Sequence, residues 1–229
     1  MIGIIGAMEI ETSAIKAELI NPEEQVISGV SFVKGFWQGK EVVVATAGVG
    51  KVFAAICAEA MILNYHPQWI VNTGVAGALN KELRILDVVI SEEVVQHDMD
   101  TSPLGDPVGL LSGINKVQLP TDQTLIAQFQ SAARKLGISA LTGTVASGDQ
   151  FVAEQAKKEW ILNQFGAVCC EMEGAAIGQV CYVNEVPFVV LRAISDGAQE
   201  EATMDYPAFA AKAAEQSVAI LRKTMEFTQ

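Results

Sequence analysis

The sequence predicts an α/β domain in three layers, a central mixed, twisted sheet between two layers of helices. Three observations predict it. Strand-like apolar runs alternate with helical patterns along all 229 residues without a linker, so 1–229 reads as one domain. Several runs, such as Pro187-Phe188-Val189-Val190-Leu191, are continuously apolar, the mark of strands covered on both faces. Three of them end abruptly in acids. Ile2–Ala7 leads into Met8-Glu9-Ile10-Glu11, Ala167–Cys170 into Glu171-Met172-Glu173-Gly174, and Leu191 into Arg192-Ala193-Ile194-Ser195-Asp196. In open α/β sheets ligands bind beyond the carboxyl ends of the strands, so these strands are expected to deliver carboxylates to one site.

Each element follows from local pattern. After the first strand, Glu9–Leu19 forms a short helix, and Val30–Phe36 and Glu41–Thr46 are strands around the Gly39-Lys40 turn. Ala47-Gly48-Val49-Gly50 interrupts the pattern. Lys51–Tyr65 then places Val52, Ala55, Ile56, Glu59, Ile62 and Leu63 at near-helical spacing. Trp69–Thr73 is a buried strand closed by Gly74-Val75-Ala76-Gly77, and Val88–Val95 is a further strand. Met99–Lys116, rich in Gly and Pro, is the longest irregular stretch and reads as a functional or interface loop. Asp122–Leu136 is a helix with an Asp near its start, Leu141–Ser147 a strand, and Glu154–Asn163 a helix. Glu173–Val183 and Tyr206–Phe227 supply the last two helices.

Composition narrows the function classes. Half of the residues are hydrophobic and 18% are charged, yet no apolar run approaches the ~20 residues that cross a bilayer. No membrane partner is expected. The net charge of −12 disfavours nucleic acid, whose binding relies on Lys and Arg displacing counterions. The chain opens directly on a strand, without the basic segment and long apolar region of a secretory signal, so a cytoplasmic location is expected. The four cysteines, Cys57, Cys169, Cys170 and Cys181, lie in apolar contexts with no Cys-x-x-Cys pair and read as buried thiols.

Several motifs fail on inspection. Gly50-Lys51 lacks both the glycine five residues earlier and the following Ser or Thr of a P-loop. Gly3-Ile4-Ile5-Gly6 lacks the third glycine of a dinucleotide fingerprint. His66 and His97 have no second ligand at zinc spacing, and His97 reads as a structural, hydrogen-bonded residue. No Gly-x-Ser-x-Gly elbow is present. No metal or organic cofactor is implied, and the acids remain the chemical candidates.

Together, Gly3-Ile4-Ile5-Gly6-Ala7-Met8-Glu9-Ile10-Glu11, Asn72-Thr73-Gly74-Val75-Ala76-Gly77, Ser147-Gly148-Asp149-Gln150-Phe151-Val152, Glu171-Met172-Glu173-Gly174 and Arg192-Ala193-Ile194-Ser195-Asp196 resemble the bacterial 5′-methylthioadenosine/S-adenosylhomocysteine nucleosidases, in order from end to end. The resemblance implies a nucleoside phosphorylase-like fold, a homodimer, and hydrolysis of the N9–C1′ bond of an adenine nucleoside to adenine and a thioribose. It also implies roles. Glu11 activates water, Asp196 protonates purine N7, Glu173 grips the ribose hydroxyls, and Ser195 orients Asp196. Phe151 stacks on adenine, the backbone of Val152 bonds its edge, and Gly77 lets backbone approach the ligand. Met8, Val49, Met172 and Tyr206 line the sugar and thioalkyl region, with Leu104 reaching in from the partner subunit. Leu104 stands where the family often has an aromatic residue, Tyr206 where it often has Phe, and Val75 where it often has Ser. Val95-Gln96-His97-Asp98, with the Ser147–Val152 block, resembles the branch that also handles 6-amino-6-deoxyfutalosine.

The chemistry agrees with those roles. Breaking an N-glycosidic bond by water requires a nucleophile on one face of the sugar and neutralisation of the departing purine. An ordinary aspartic acid titrates near 3.9, so donating a proton near pH 7 asks its site to favour the neutral form by ~4 kcal/mol. Burial supplies that bias, and Arg192 opposes it if its side chain points inward. Each acid also has a plainer reading. Glu9 and Glu11, like Glu171 and Glu173, suit the first turn of a helix, Asp196 suits a helix cap, and Glu9 and Glu171 are expected to be solvated or structural. Two alternatives remain at this level: a nucleoside phosphorylase using phosphate as acceptor, and a catalytically silent nucleoside-binding dimer.

Overall fold

The structure, a computed structural model, describes residues 1–198 and 206–227, with only the backbone described at 206–209. Strand β1 (Ile2–Gly6) lies parallel between β4 (Lys40–Thr46) and β5 (Trp69–Ala78). From β4 the sheet continues through antiparallel β3 (Val30–Trp37) to β2 (Ile20–Ile27) at its edge. On its other side β5 pairs with parallel β10 (Phe188–Asp196) and antiparallel β9 (Ala167–Glu171). Through β6 (Val88–Gln96) and β8 (Ala140–Ser147), β10 and β9 close a ring back to β5. The layered sheet that the sequence predicts is therefore partly rolled up.

Side-chain alternation explains the continuous apolar runs. Ile5, Val43 and Ile70 face one layer with Ala54 and Met61 of α2 (Lys51–Tyr65) and Ile177 of α5 (Gly174–Val183). Their neighbours Ile4, Val44 and Val71 face the other, with Ile15 of α1 (Glu9–Ala17), Phe129 of α3 (Gln123–Leu136) and Leu221 of α6 (Tyr206–Thr224). A strand with period 2 between two helical layers has no polar face to show. Helix α4 (Gln155–Phe165) covers β8 and β9 through Ile161 and Phe165.

Four differences from the sequence reading have physical causes. β2 carries Pro22, Glu23 and Glu24 and is almost wholly exposed. It is an edge strand with an irregularity between Ile20 and Glu23, where Pro and charge are tolerated because one side of the ladder is open. The three-residue β7 (Gln118–Pro120) pairs only with the end of β6. β5 does not stop at Thr73 but runs on through the glycines, and β10 runs on to Asp196, because each continues the other's ladder. The glycines sit where side chains crowd the backbone: a Cβ on Gly74 would lie 2.5 Å from Glu11 Oε1, and one on Gly77 2.8 Å from Asp196 Oδ2. The stretch Met99–Lys116 holds a single 3₁₀ turn, Ser102–Leu104, and an isolated bridge from Leu111 to Lys116. Among the described residues all four cysteines are buried and unpaired, and no helix is long and apolar enough to cross a membrane.

Candidate active site

A cavity of about 210 Å³ opens at the carboxyl ends of β1, β5, β9 and β10. The three acid-delivering strands do converge there. Met8, Glu11, Val49, Gly77, Phe151, Val152, Met172, Glu173, Ser195 and Asp196 all line it. Leu104 does not; it stands 84% exposed on its 3₁₀ turn. The side chain of Tyr206 lies outside the described residues. Ala7, Val75, Ala76, Gln150, Cys170 and Glu171 complete the wall. Sequence reasoning missed Ala76 and Cys170, whose only signal is register: Gly77 pairs with Cys170 on one side and with Asp196 on the other.

Glu11 is a first-turn helix acid, as its plain reading held, but it is buried rather than solvated. Its carboxylate turns back over the start of α1, where Oε2 accepts from Ala7 N at 2.7 Å and Met8 N at 3.0 Å, while Oε1 accepts from Val75 N at 3.2 Å. Three backbone donors thus fix it against the cavity. Burial pushes its pKa up, against the opposing pull of the Arg192 charge. A buried carboxylate with a raised pKa is suited to take a proton from water. Glu9, two residues earlier, stays outside and bonds Lys16 and Thr46.

Glu171 and Glu173 divide their labour. Glu171 is buried and structural, accepting from the backbone N–H groups of Glu173 and Gly174 at the open start of α5 and ion-paired with Arg192. Glu173 Oε1 accepts from Gly50 N at 2.8 Å, which ties it to the loop before α2. Burial, then the nearby charge of Glu171, pushes its pKa from the ordinary 4.5 to about 7. Arg192 is 1% exposed, bonds Asn72 and Glu171, and lies 3.9 Å from Glu173. It points inward, but toward Glu171 and Glu11 rather than toward Asp196, so its expected opposition falls on Glu11. The cation beside Asp196 is Lys158, 3.7 Å away. Ser195 Oγ donates to Asp196 Oδ1 at 2.9 Å. The expectation for His97 is corrected: it is buried at the end of β6, packed against Gly148, and neither ring nitrogen has a hydrogen-bond partner. Burial pushes its pKa down and keeps it neutral.

The raised pKa of Glu173 has a consequence for stability. The folded state holds the proton more tightly than the unfolded chain, so the contribution is fully present below pH 4.5 and is lost as pH rises through about 7. Glu173→Gln cannot ionise and keeps an acceptor for Gly50. It is expected to be more stable than the native chain by about 1–3 kcal/mol at pH 8, with the difference closing toward pH 4.5. Denaturant melts at both pH values check this; a difference independent of pH contradicts it.

The family model of the phosphorylase superfamily matches residues 1–226, which span every element of the cavity. A 5′-methylthioadenosine/S-adenosylhomocysteine nucleosidase of Shewanella loihica is 39% identical over 94% of both chains, and one of Geobacillus kaustophilus is 40% identical over 95% of this chain and 93% of its own. The chain belongs to this nucleosidase family. Among solved structures, the futalosine hydrolase of Helicobacter pylori is 37% identical with a TM-score of 0.94, covering 99% of this chain and 97% of its own. A mutant nucleosidase of the same organism with 5′-methylthioadenosine in its active site is 36% identical with a TM-score of 0.94, covering 99% and 98%. The nucleosidase of Neisseria meningitidis in complex with methylthio-immucillin-A is 33% identical with a TM-score of 0.95, covering 99% of both chains. The nucleosidase family thus agrees with the resemblance carried by the five sequence blocks, and the nucleoside phosphorylase-like fold agrees with the rolled sheet.

Proposed function

We propose that this chain hydrolyses the N9–C1′ bond of 5′-methylthioadenosine and S-adenosylhomocysteine, releasing adenine and the 5-substituted ribose. The observation that carries the reading is the placement of Glu11 and Asp196 along β5. Glu11 is bonded at Val75 and Asp196 is packed at Gly77, two residues or roughly 7 Å of strand apart. That spacing leaves room for a sugar and a water between a base and an acid. Glu11 takes the proton of the attacking water, and Asp196 gives a proton to purine N7 as the bond breaks. Glu173, held by Gly50, accepts from the ribose hydroxyls, a strong contact when the acceptor is charged. Phe151 stacks on adenine, the Val152 backbone bonds its edge, and Gly77 keeps the approach open. Met8, Val49 and Met172 form the wall around the 5′-substituent.

Water is favoured over phosphate as acceptor by the loop between β4 and α2. Ala47-Gly48-Val49-Gly50 has no cationic side chain, its Ala47 and Gly48 N–H groups donate to Gly6 and Ala7 carbonyls, and Lys51 Nζ is committed to Asp98 and Gln96. A phosphate clamp needs free donors and charge. The exposed apolar side chains Val52, Phe53, Ile56 and Val183 on neighbouring faces of α2 and α5 favour a homodimer built on that face, with Leu104 of each subunit reaching the other's cavity. Sedimentation of the native chain and of an Ile56→Glu variant tests the dimer; a native monomer contradicts it. A single domain spanning 1–229 and a cytoplasmic location complete the reading.

The test is adenine release from 5′-methylthioadenosine, S-adenosylhomocysteine and 6-amino-6-deoxyfutalosine in phosphate-free buffer, with Asp196→Asn as control. Release that the variant abolishes supports the hydrolase, and the ranking identifies the favoured 5′-group. Release that requires phosphate, or tight binding without release, overturns it.

A further inference from the structure

Helix α4 brings to Asp196 one side chain that the preceding roles leave unused. Lys158 is 3% exposed, and a buried ammonium is costly unless its charge and its protons are satisfied. Its Nζ donates to the Gly197 carbonyl at 3.0 Å and lies 3.7 Å from Asp196 Oδ2. The other oxygen, Oδ1, accepts from Ser195. The two carboxylate oxygens of Asp196 therefore have separate partners, one a hydroxyl on its own strand and one a cation on a different element.

We propose that Lys158 is a positioning residue for Asp196: the ammonium fixes Oδ2 and stabilises the carboxylate left behind when Asp196 gives its proton to the purine. This rests on the reading of Asp196 as the proton donor. In that step the N9–C1′ bond breaks and its electron pair goes to the purine. The proton moves from Asp196 to N7, and the water that bonds C1′ loses its proton to Glu11. Negative charge that was shared with a proton is then left on Asp196, next to Lys158. A preorganised cation at the point where charge develops stabilises the transition state without reorganisation. Few other titratable groups bear on the pair. Cys170 of β9 faces both, but burial pushes its thiol up to about 12, so it is neutral. Arg192 is committed to Glu171 and Asn72. On α4 itself Lys157 lies over the Trp160 ring.

The same charge has a second, opposite effect, which makes the proposal testable. A cation beside a carboxylate favours the ionised form, so the charge is expected to govern the alkaline limb of the kcat profile as well as the rate. Lys158→Gln retains a donor for Gly197 and loses the charge. It is expected to lower kcat about 10–100-fold with KM changed less than about threefold, and to move the alkaline limb of the kcat profile up by about one pH unit. Lys158→Arg keeps the charge and is expected to restore both kcat and the limb. A native kcat and limb in Lys158→Gln overturn the proposal. So do equal losses in the Gln and Arg variants with the limb unmoved, which is the signature of packing alone. Asp196→Asn separates the two readings. Full turnover in that variant removes Asp196 as donor; an inactive Asp196→Asn beside a native Lys158→Gln removes only the role of Lys158.

Discussion

Glu11→Gln is expected to bind 5′-methylthioadenosine with near-native affinity and to lose turnover by about 10³-fold, within the range that a positioned general base contributes. The expectation follows from how the side chain is held. Its two oxygens accept three backbone N–H groups at 2.7, 3.0 and 3.2 Å, so the group is fixed before substrate arrives. The amide keeps the shape and one acceptor oxygen, but it cannot take a proton. The shape of the pocket is set by Met8, Val49, Phe151 and Met172, which the substitution leaves in place. Calorimetric titration of the variant separates binding from turnover. Turnover within tenfold of native removes Glu11 from its role.

Arg192→Met is expected to destabilise the fold by about 3–5 kcal/mol at neutral pH, the usual cost of leaving a buried ionic partner uncompensated. Arg192 is fully buried among Glu171, Glu173 and Glu11 and is the counter-charge that burial demands. Methionine fills the space and supplies no charge. Part of the loss is expected to return in Arg192→Met/Glu171→Gln, and part as pH falls and the carboxylates protonate. Chemical denaturation at two pH values checks both; a single variant as stable as the native chain contradicts the account of this network.

The site was legible in the sequence because its carboxylates stand at the ends of strands with no polar face. A run such as Phe188–Leu191 leaves little doubt about burial, and the acid that follows it marks where the sheet meets solvent. The partners of those acids were less legible. Arg192 has the same position in the sequence whether it faces Glu171 or Asp196, because what parts the two side chains is the bulge between Ile194 and Asp196, which breaks the strand's alternation. Lys158 belongs to a helix far along the chain from β10, and nothing local distinguishes it from the half-buried Lys157 beside it. The Gly74-Val75-Ala76-Gly77 segment looked like a strand end because glycine breaks local pattern. Here it is strand interior, and the missing Cβ atoms make space for Glu11 and Asp196. β2 was invisible because its exposed, Pro- and Glu-containing sequence has no buried face to generate alternation.

The most direct test of the central claim is to run the reaction with 5′-methylthioadenosine in phosphate-free buffer made with ¹⁸O-labelled water and to weigh the released sugar. Water activated by Glu11 predicts one labelled oxygen in the thioribose and one adenine for each substrate consumed, with both lost in Glu11→Gln. No release until phosphate is added, with a sugar phosphate as the product, would contradict the hydrolytic reading.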